Sequence, residues 1–265
     1  LASFLMNSTP QVLALTAACI VVMMMALWIV SLIKKDASIV DIFWGLGFVM
    51  VGWASWQLSD ANSQRGTVLA VLTTLWGVRL GGYLYWRNHG KGEDFRYQAM
   101  RKHYGSKFAL KSLFIVFGLQ GVLMWIVSLP VQLGQMTNDA KIGAVGIVGS
   151  VVWAIGFLFE SVGDIQLARF KSNSANAGKV MDKGLWKFTR HPNYFGDACA
   201  WWGIALIAAE SRVGLFGIIG ALVMNILLLK YSGVPILEKS INKRRPGYEE
   251  YQRRTSSFVP RMPKK

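Results

Sequence analysis

Gly184-Leu-Trp-Lys-Phe-Thr-Arg-His-Pro-Asn-Tyr-Phe-Gly-Asp-Ala-Cys-Ala-Trp-Trp-Gly203 passes without a spacer from a basic polar loop into an apolar segment. Lys187, Arg190, His191, Asn193, Tyr194 and Asp197 fall within eleven residues of it. Pro192 disfavours the α conformation at His191, and its own fixed φ suits the first turn of a helix beginning near Asn193. The free N–H groups and positive dipole end of such a helix favour an anion beside these side chains. The plainer reading of the same residues is a basic loop at a membrane boundary followed by a helix start. On both readings the stretch marks the edge of a membrane span.

Composition extends that conclusion to the whole chain. Of 265 residues 53% are apolar and 16% charged, whereas soluble domains carry about 25% charged residues. The formal net charge of +15 falls between long apolar runs and not on a soluble surface, so it reads as membrane topology and argues against nucleic acid as a partner. Cys19 and Cys199 are far apart with no Cys-x-x-Cys, and His89, His103 and His191 are scattered. Neither a disulfide framework nor a metal site is expected.

Apolar runs of about the 20 residues needed to cross a bilayer occur near 11–33, 38–58, 66–88, 108–134, 143–170, 194–209 and 212–232. The first lacks the basic leader of a signal peptide and is too long for one, so it is kept as a helix. The fold class expected is therefore an all-α integral membrane protein of seven transmembrane helices. It forms a single domain over 1–265, with an N-terminal half over 11–134 and a C-terminal half over 143–265. Lys and Arg in alternate connections set the orientation. One side holds two at 34–35, six in 87–107, five in 171–190 and ten in 230–265, against Arg65, Lys141 and Arg212 on the other. The N-terminus is then outside and the C-terminus cytoplasmic. Short polar turns are expected at 59–65 and 135–142 on the outer side. Gly77-x-x-x-Gly81 suits close helix packing, and Trp28, Trp44, Trp53, Trp56 and Trp86 suit interfacial anchoring.

Ionisable side chains at bilayer depth cost about 3 kcal/mol each on insertion scales. Asp41 sits one turn into the second run, Arg79 in the third, and Glu160, Asp164 and Arg169 in the fifth, while Asp197 enters the sixth. Glu160 and Asp164 are four apart and share one helix face. Interhelical ion pairs with snorkelling arginines would account for them one by one. Together they suit a polar cavity open to the cytoplasm, with Arg79, Arg169, Lys171, Arg190 and His191 for phosphates and Asp164, Asn193 and Asp197 for ribose hydroxyls and a carboxamide. The charged stretch Arg87–Tyr97 reads either as part of that surface or as an ordinary solvated loop. No Gly-x-Gly-x-x-Gly and no Walker-type motif is present, so a dinucleotide would be held between helices.

The same residues carry a resemblance. The 184–203 stretch, with Glu160-x-x-x-Asp164, Lys179 before Gly184-Leu-Trp186, and Tyr248-Glu-Glu-Tyr251 running to Phe258-Val-Pro260, resembles the steroid 5-alpha-reductase family. The likeness is greatest to a bacterial membrane branch of uncharacterised, DUF1295-like homologues. It implies a seven-helix fold whose C-terminal half binds NADPH. Asp164, Arg169, Lys171, Asn193, Tyr194 and Asp197 would contact the cofactor, Arg79 would reach it from the third span, and Glu238 and Tyr251 would close over it. Glu160, Lys179, Trp186, Arg190 and His191 complete the cofactor-binding candidates. In the eukaryotic steroid enzymes a Gln-Glu-x-Pro stretch on the second span and a Tyr on the third hold and protonate the enone. Here Asp41 takes the place of the Glu, with no Gln before it and no Pro after it. Trp76 falls where the Tyr aligns and is no general acid, which leaves Tyr83 and Tyr85 as candidate phenols beside Asp41.

The function expected is an NADPH-dependent reduction of a C=C bond conjugated to a carbonyl. The substrate would be a lipid drawn from the bilayer: steroid-like, isoprenoid or acyl. The enzyme would be a monomer among membrane lipids, in a bacterial inner membrane, with its site facing the cytoplasm and no metal. Arg190-His191-Pro192-x-Tyr194 also resembles an element of the isoprenylcysteine carboxyl methyltransferases, so an S-adenosylmethionine-dependent lipid or prenyl-cysteine carboxyl methyltransferase is the alternative. A non-catalytic lipid-binding membrane protein is the second alternative.

Overall fold

The computed structural model describes residues 8–59, 63–136, 141–231, 233, 234, 238 and 245–264. Among the described residues six helices are long and apolar enough to cross a membrane: Thr9–Lys34, Ile39–Leu58, Gln64–Asn88, Phe95–Gly134, Ala144–Ser172 and Gly214–Tyr231. The chain is a multi-pass integral membrane protein. Among the described residues there is no β-strand, only an isolated bridge between Thr189 and Ser256. The run expected at 194–209 is a 17-residue helix, Pro192–Ala208, about 25 Å long at 1.5 Å per residue. The turns expected at 59–65 and 135–142 lie partly outside the described residues.

Local sequence sets the helix ends. In α1 (Thr9–Lys34) the Ser8 N–H donates to the Gln11 side chain at 2.7 Å and a proline occupies the first turn, the pattern that satisfies a helix start. α2 (Ile39–Leu58) follows after a short turn, and Ser63 caps α3 (Gln64–Asn88) by accepting from the Gly66 N–H. The next helical stretch changes type along its length. α4 (Phe95–Tyr104) leads through Gly105 into α5 (Phe108–Ser112), a π-helical turn (Leu113–Gly118), α6 (Leu119–Val127) and α7 (Leu129–Gly134). α8 (Ala144–Ser172), α9 (Pro192–Ala208), α10 (Ile218–Ile226) with a second π-helical turn (Leu227–Tyr231), and α11 (Tyr248–Arg254) complete the order.

Two compact units result, Leu1–Gly146 with Ile204–Gly220, and Ile147–Gly203 with Ala221–Lys265. In the first, α2 and α3 meet through glycines. A β-carbon on Gly45 would lie 2.4 Å from the Gly77 carbonyl oxygen, and one on Gly81 3.0 Å from that of Ile42, so the small residues noted in the sequence face α2. Phe48 packs edge-on against both Trp44 and the fully buried Trp76. Trp53 and Trp56, expected as anchors, donate to Thr74 and Thr67 on α3. A buried polar chain, Thr16 Oγ1 to Gln132 at 2.6 Å and Gln132 to Ser128 at 2.8 Å, ties α1 to α7 with its partners satisfied. Residues 204–220 join this unit because Gly134 abuts Ala208 and Gly217 abuts Pro130. Arg65, counted above as an outer-loop charge, is 6% exposed and lies 3.7 Å from Glu210, which also accepts from the Gly143 and Gly146 N–H groups.

In the second unit α8 and α9 approach through Gly156 and Gly196. A β-carbon on Gly156 would stand 2.5 Å from both the Gly196 oxygen and the Ala200 nitrogen. That closeness brings the start of α9 alongside Gly163 and Asp164.

Candidate functional site

Pro192 opens α9 as its fixed φ requires, and the segment before it runs as a single 3-10 turn, Gly184–Lys187. Gly184, at φ +60, turns the chain back to α8, where Gln166 accepts from the Leu185 N–H at 3.0 Å. The Trp186 indole donates to the Gly163 carbonyl at 3.0 Å and is buried. In the first turn of α9, Asn193 donates from Nδ2 to Asp164 Oδ1 at 3.1 Å. Asp164 and Glu160 are both buried on α8, at 5% and 4% exposure, and Gly196 packs against the Glu160 backbone. Asp197 lies one turn further along α9, while Arg169 and Lys171 are exposed at the C-terminal end of α8.

The C-terminal segment is strapped across this loop. Arg190 holds Glu238 in a fork (2.7 and 3.3 Å) and spends its remaining nitrogen on the carbonyls of Gln252 and Thr255 at 3.0 and 2.6 Å. His191 Nε2 lies 3.0 Å from the same carboxylate; a carboxylate only accepts, so Nε2 carries the hydrogen. The His191 ring stacks on Tyr194 at 5.5 Å. Gln252 Nε2 adds a fourth contact to Glu238 at 2.9 Å. Tyr251 donates to the Trp186 carbonyl, Arg245 to that of Lys179, and Thr189 Oγ1 to that of Phe258 at 2.7 Å. Arg190, His191, Glu238 and Gln252 thus form one cluster on which Tyr194 stacks, and Asp164–Asn193, Trp186–Tyr251 and Lys179–Arg245 are further contacts within the same unit. Arg190 and His191, expected to face phosphate, turn their donors on Glu238 instead. Gln252 and Thr255 were not legible as members, since one contributes a side chain and both contribute carbonyls brought in by the strap.

Burial raises the Glu238 pKa, but hydrogen bonds from His191 and Arg190 outweigh it and bring it from 4.5 down to about 2. Burial pushes the Tyr248 and Tyr251 phenols upward. A folded-state value below the unfolded one means that the strap's stabilisation is complete above pH 4.5 and fades as pH falls towards 2. Acid titration followed by proteolysis of the C-terminal segment should therefore show release inside that window in wild type. Glu238→Gln should show no such step; an identical step in that variant would assign it to another group.

In the first unit Asp41 is 17% exposed in its side chain and lies 2.5 Å from Arg96 Nη2. It accepts from the Tyr97 hydroxyl at 2.7 Å, and Gln120 Nε2 donates to that hydroxyl at 3.1 Å. The phenol beside Asp41 is therefore Tyr97. Tyr83 lies between Arg79 and Arg87, whose guanidinium carbons are 5.6 and 5.7 Å from its ring, and the exposed Tyr85 rests on His89. Arg96 and Tyr97 belong to the charged stretch that reads equally well as a solvated loop, and no spacing rule ties them to Asp41. Next to them, burial raises the Glu93 carboxyl, but Arg101 and the Ala37 N–H outweigh it and hold it below its ordinary value. Among the described residues no three His, Cys, Asp or Glu side chains group to hold a metal ion.

Residues 27–255 match the family described as "Protein of unknown function (DUF1295)". The chain belongs to that family. This DUF1295 protein is also similar to an uncharacterized protein of Schizosaccharomyces pombe, 24% identical over 291 aligned positions that cover 98% of this chain and 83% of the relative. No solved structure matches it. The family match takes in both Asp41 and the Glu238 network, so the two constellations lie within the shared region.

Proposed function

We propose that this DUF1295 protein is a membrane-embedded, NADPH-dependent reductase of a C=C bond conjugated to a carbonyl in a lipidic substrate. The observation that carries the reading is the acid–amide pair Asp164–Asn193, which joins α9 to α8, the helix whose C-terminal end presents Arg169 and Lys171. Carboxylate and amide suit ribose hydroxyls and the nicotinamide carboxamide, and the cations suit phosphates. Tyr194 and Asp197 lie on α9 with Asn193. NADPH would supply the hydride. The chain's own contribution to the acceptor is the Tyr97 phenol, whose O–H is donated to Asp41 here and, once released from it, suits donation to a carbonyl oxygen as negative charge develops there. Gln120 holds that phenol and Arg96 supplies positive charge beside it. The accompanying topology counts α9 as a seventh span, with the N-terminus outside, the C-terminus and site cytoplasmic, and a monomer in a bacterial inner membrane.

Native mass spectrometry of the detergent-purified protein with NADPH, NADH and S-adenosylmethionine tests the proposal. Wild type should retain NADPH. Asn193→Ala should weaken it by about tenfold or more, the loss expected when one hydrogen-bonding group is removed from a polar binding site. Unchanged affinity in a folded Asn193→Ala protein would remove the assignment. One observation favours the methyltransferase alternative: Arg190 and His191 are committed to Glu238, which lowers the cation supply for phosphates. Retention of S-adenosylmethionine and not NADPH would decide for it.

A further inference from the structure

The helix that carries Arg96 and Tyr97 is bounded by glycines in the left-handed region. Gly90 (φ +75) and Gly92 (φ +71) precede α4 and Gly105 (φ +55) follows it. A β-carbon on any of the three would meet nothing within 4 Å, so glycine serves the backbone conformation there and not close packing. Tyr97 is the one buried residue of α4, and the helix packs chiefly on its own continuation into α5. Polar contacts tie it to the rest of the first unit. Arg96 and Tyr97 hold Asp41 on α2, and Gln120 on α6 holds Tyr97. At its foot Glu93 takes both Arg101 and the Ala37 N–H at 2.8 Å, while the Asp94 N–H reaches Ser38 Oγ, itself donating to Asp36. A helix held by side-chain ion pairs and little apolar burial belongs to the low-stability end of a structure.

We propose that α4 is a lid over the Asp41 end of the first unit, hinged at Gly90/Gly92 and Gly105 and latched by Arg96 and Tyr97 on Asp41. Opening swings the Phe95–Tyr104 end of its span away, breaks the latch and exposes the Asp41 carboxylate and the Tyr97 phenol, while α2, α3 and the 108–134 part of that span stay packed. That a lipid carbonyl is what enters rests on the reductase reading; the opening itself does not. Hydrogen–deuterium exchange of the full-length protein in detergent tests it. Asp41→Asn should speed exchange across 93–104 about tenfold, the scale of losing one partly exposed, well-formed ion pair with its hydrogen bonds. Exchange in α2 and α3 should stay unchanged. Arg96→Gln, which keeps the Tyr97 contact, should give a smaller rise in the same segment. Exchange in 93–104 as slow as in α2 in both variants, or a rise spread evenly through the first unit, would overturn the lid. Failure to bind NADPH would leave this pattern untouched and count only against the reductase.

Discussion

Arg190→Ala should destabilise the second unit by about 3–5 kcal/mol, the loss measured when one partner of a buried pair is removed. The side chains of Arg190 and Glu238 are 11% and 15% exposed, so solvent screens them little. Removing the guanidinium takes the fork from the Glu238 carboxylate, which keeps His191 and Gln252, and strips Arg190 from the carbonyls of Gln252 and Thr255. Arg190→Lys should recover part of the stability, because an ammonium supplies charge but not the fork that spans two carboxylate oxygens and two carbonyls. Equilibrium unfolding in mixed micelles, combined with Glu238→Gln in a double-mutant cycle, measures the coupling. A destabilisation below about 1 kcal/mol would place the pair with ordinary surface bridges. The result also governs how nucleotide binding is interpreted, because lost NADPH affinity in Arg190→Ala would follow from a loosened strap without any phosphate contact.

Gly77→Ala should cost about 3 kcal/mol, at the upper end of the range for overpacking. Its new β-carbon would fall 2.3 Å from the Gly45 carbonyl oxygen and 2.7 Å from a Val49 methyl. The first obstacle is backbone, so α2 and α3 must separate and give up the packing that seats Phe48 on Trp76. Gly82→Ala, five residues along on the same helix, would meet nothing within 4 Å and should stabilise by about 0.5–1 kcal/mol, the gain of alanine over glycine in a helix interior. Thermal unfolding of the two variants side by side separates helix approach from helix propensity, which both substitutions improve equally. Equal stability in the two would remove the close-contact account.

Hydrophobic run length was sufficient to read the membrane class and the places of the apolar helices, because a bilayer demands about 20 apolar residues in a row with every backbone group bonded internally. Pro192 announced the start of α9 for an equally local reason. Gly77 and Gly81 could be flagged by spacing, yet only the packed structure identified Gly45 and Ile42 as what they meet. Side-chain partners were less legible still. Asp41 could be singled out as a charge out of place, but its partners lie 55 and 56 residues away in a stretch that reads equally well as solvated loop. Arg190 and His191 could be singled out as cations and donors, but an acid 47 residues beyond His191 claims them both. A sequence determines where a charge sits along a helix, because helical periodicity is local. Which opposite charge neutralises it is decided by tertiary packing, since any of several distant residues of the right sign would satisfy the same local pattern.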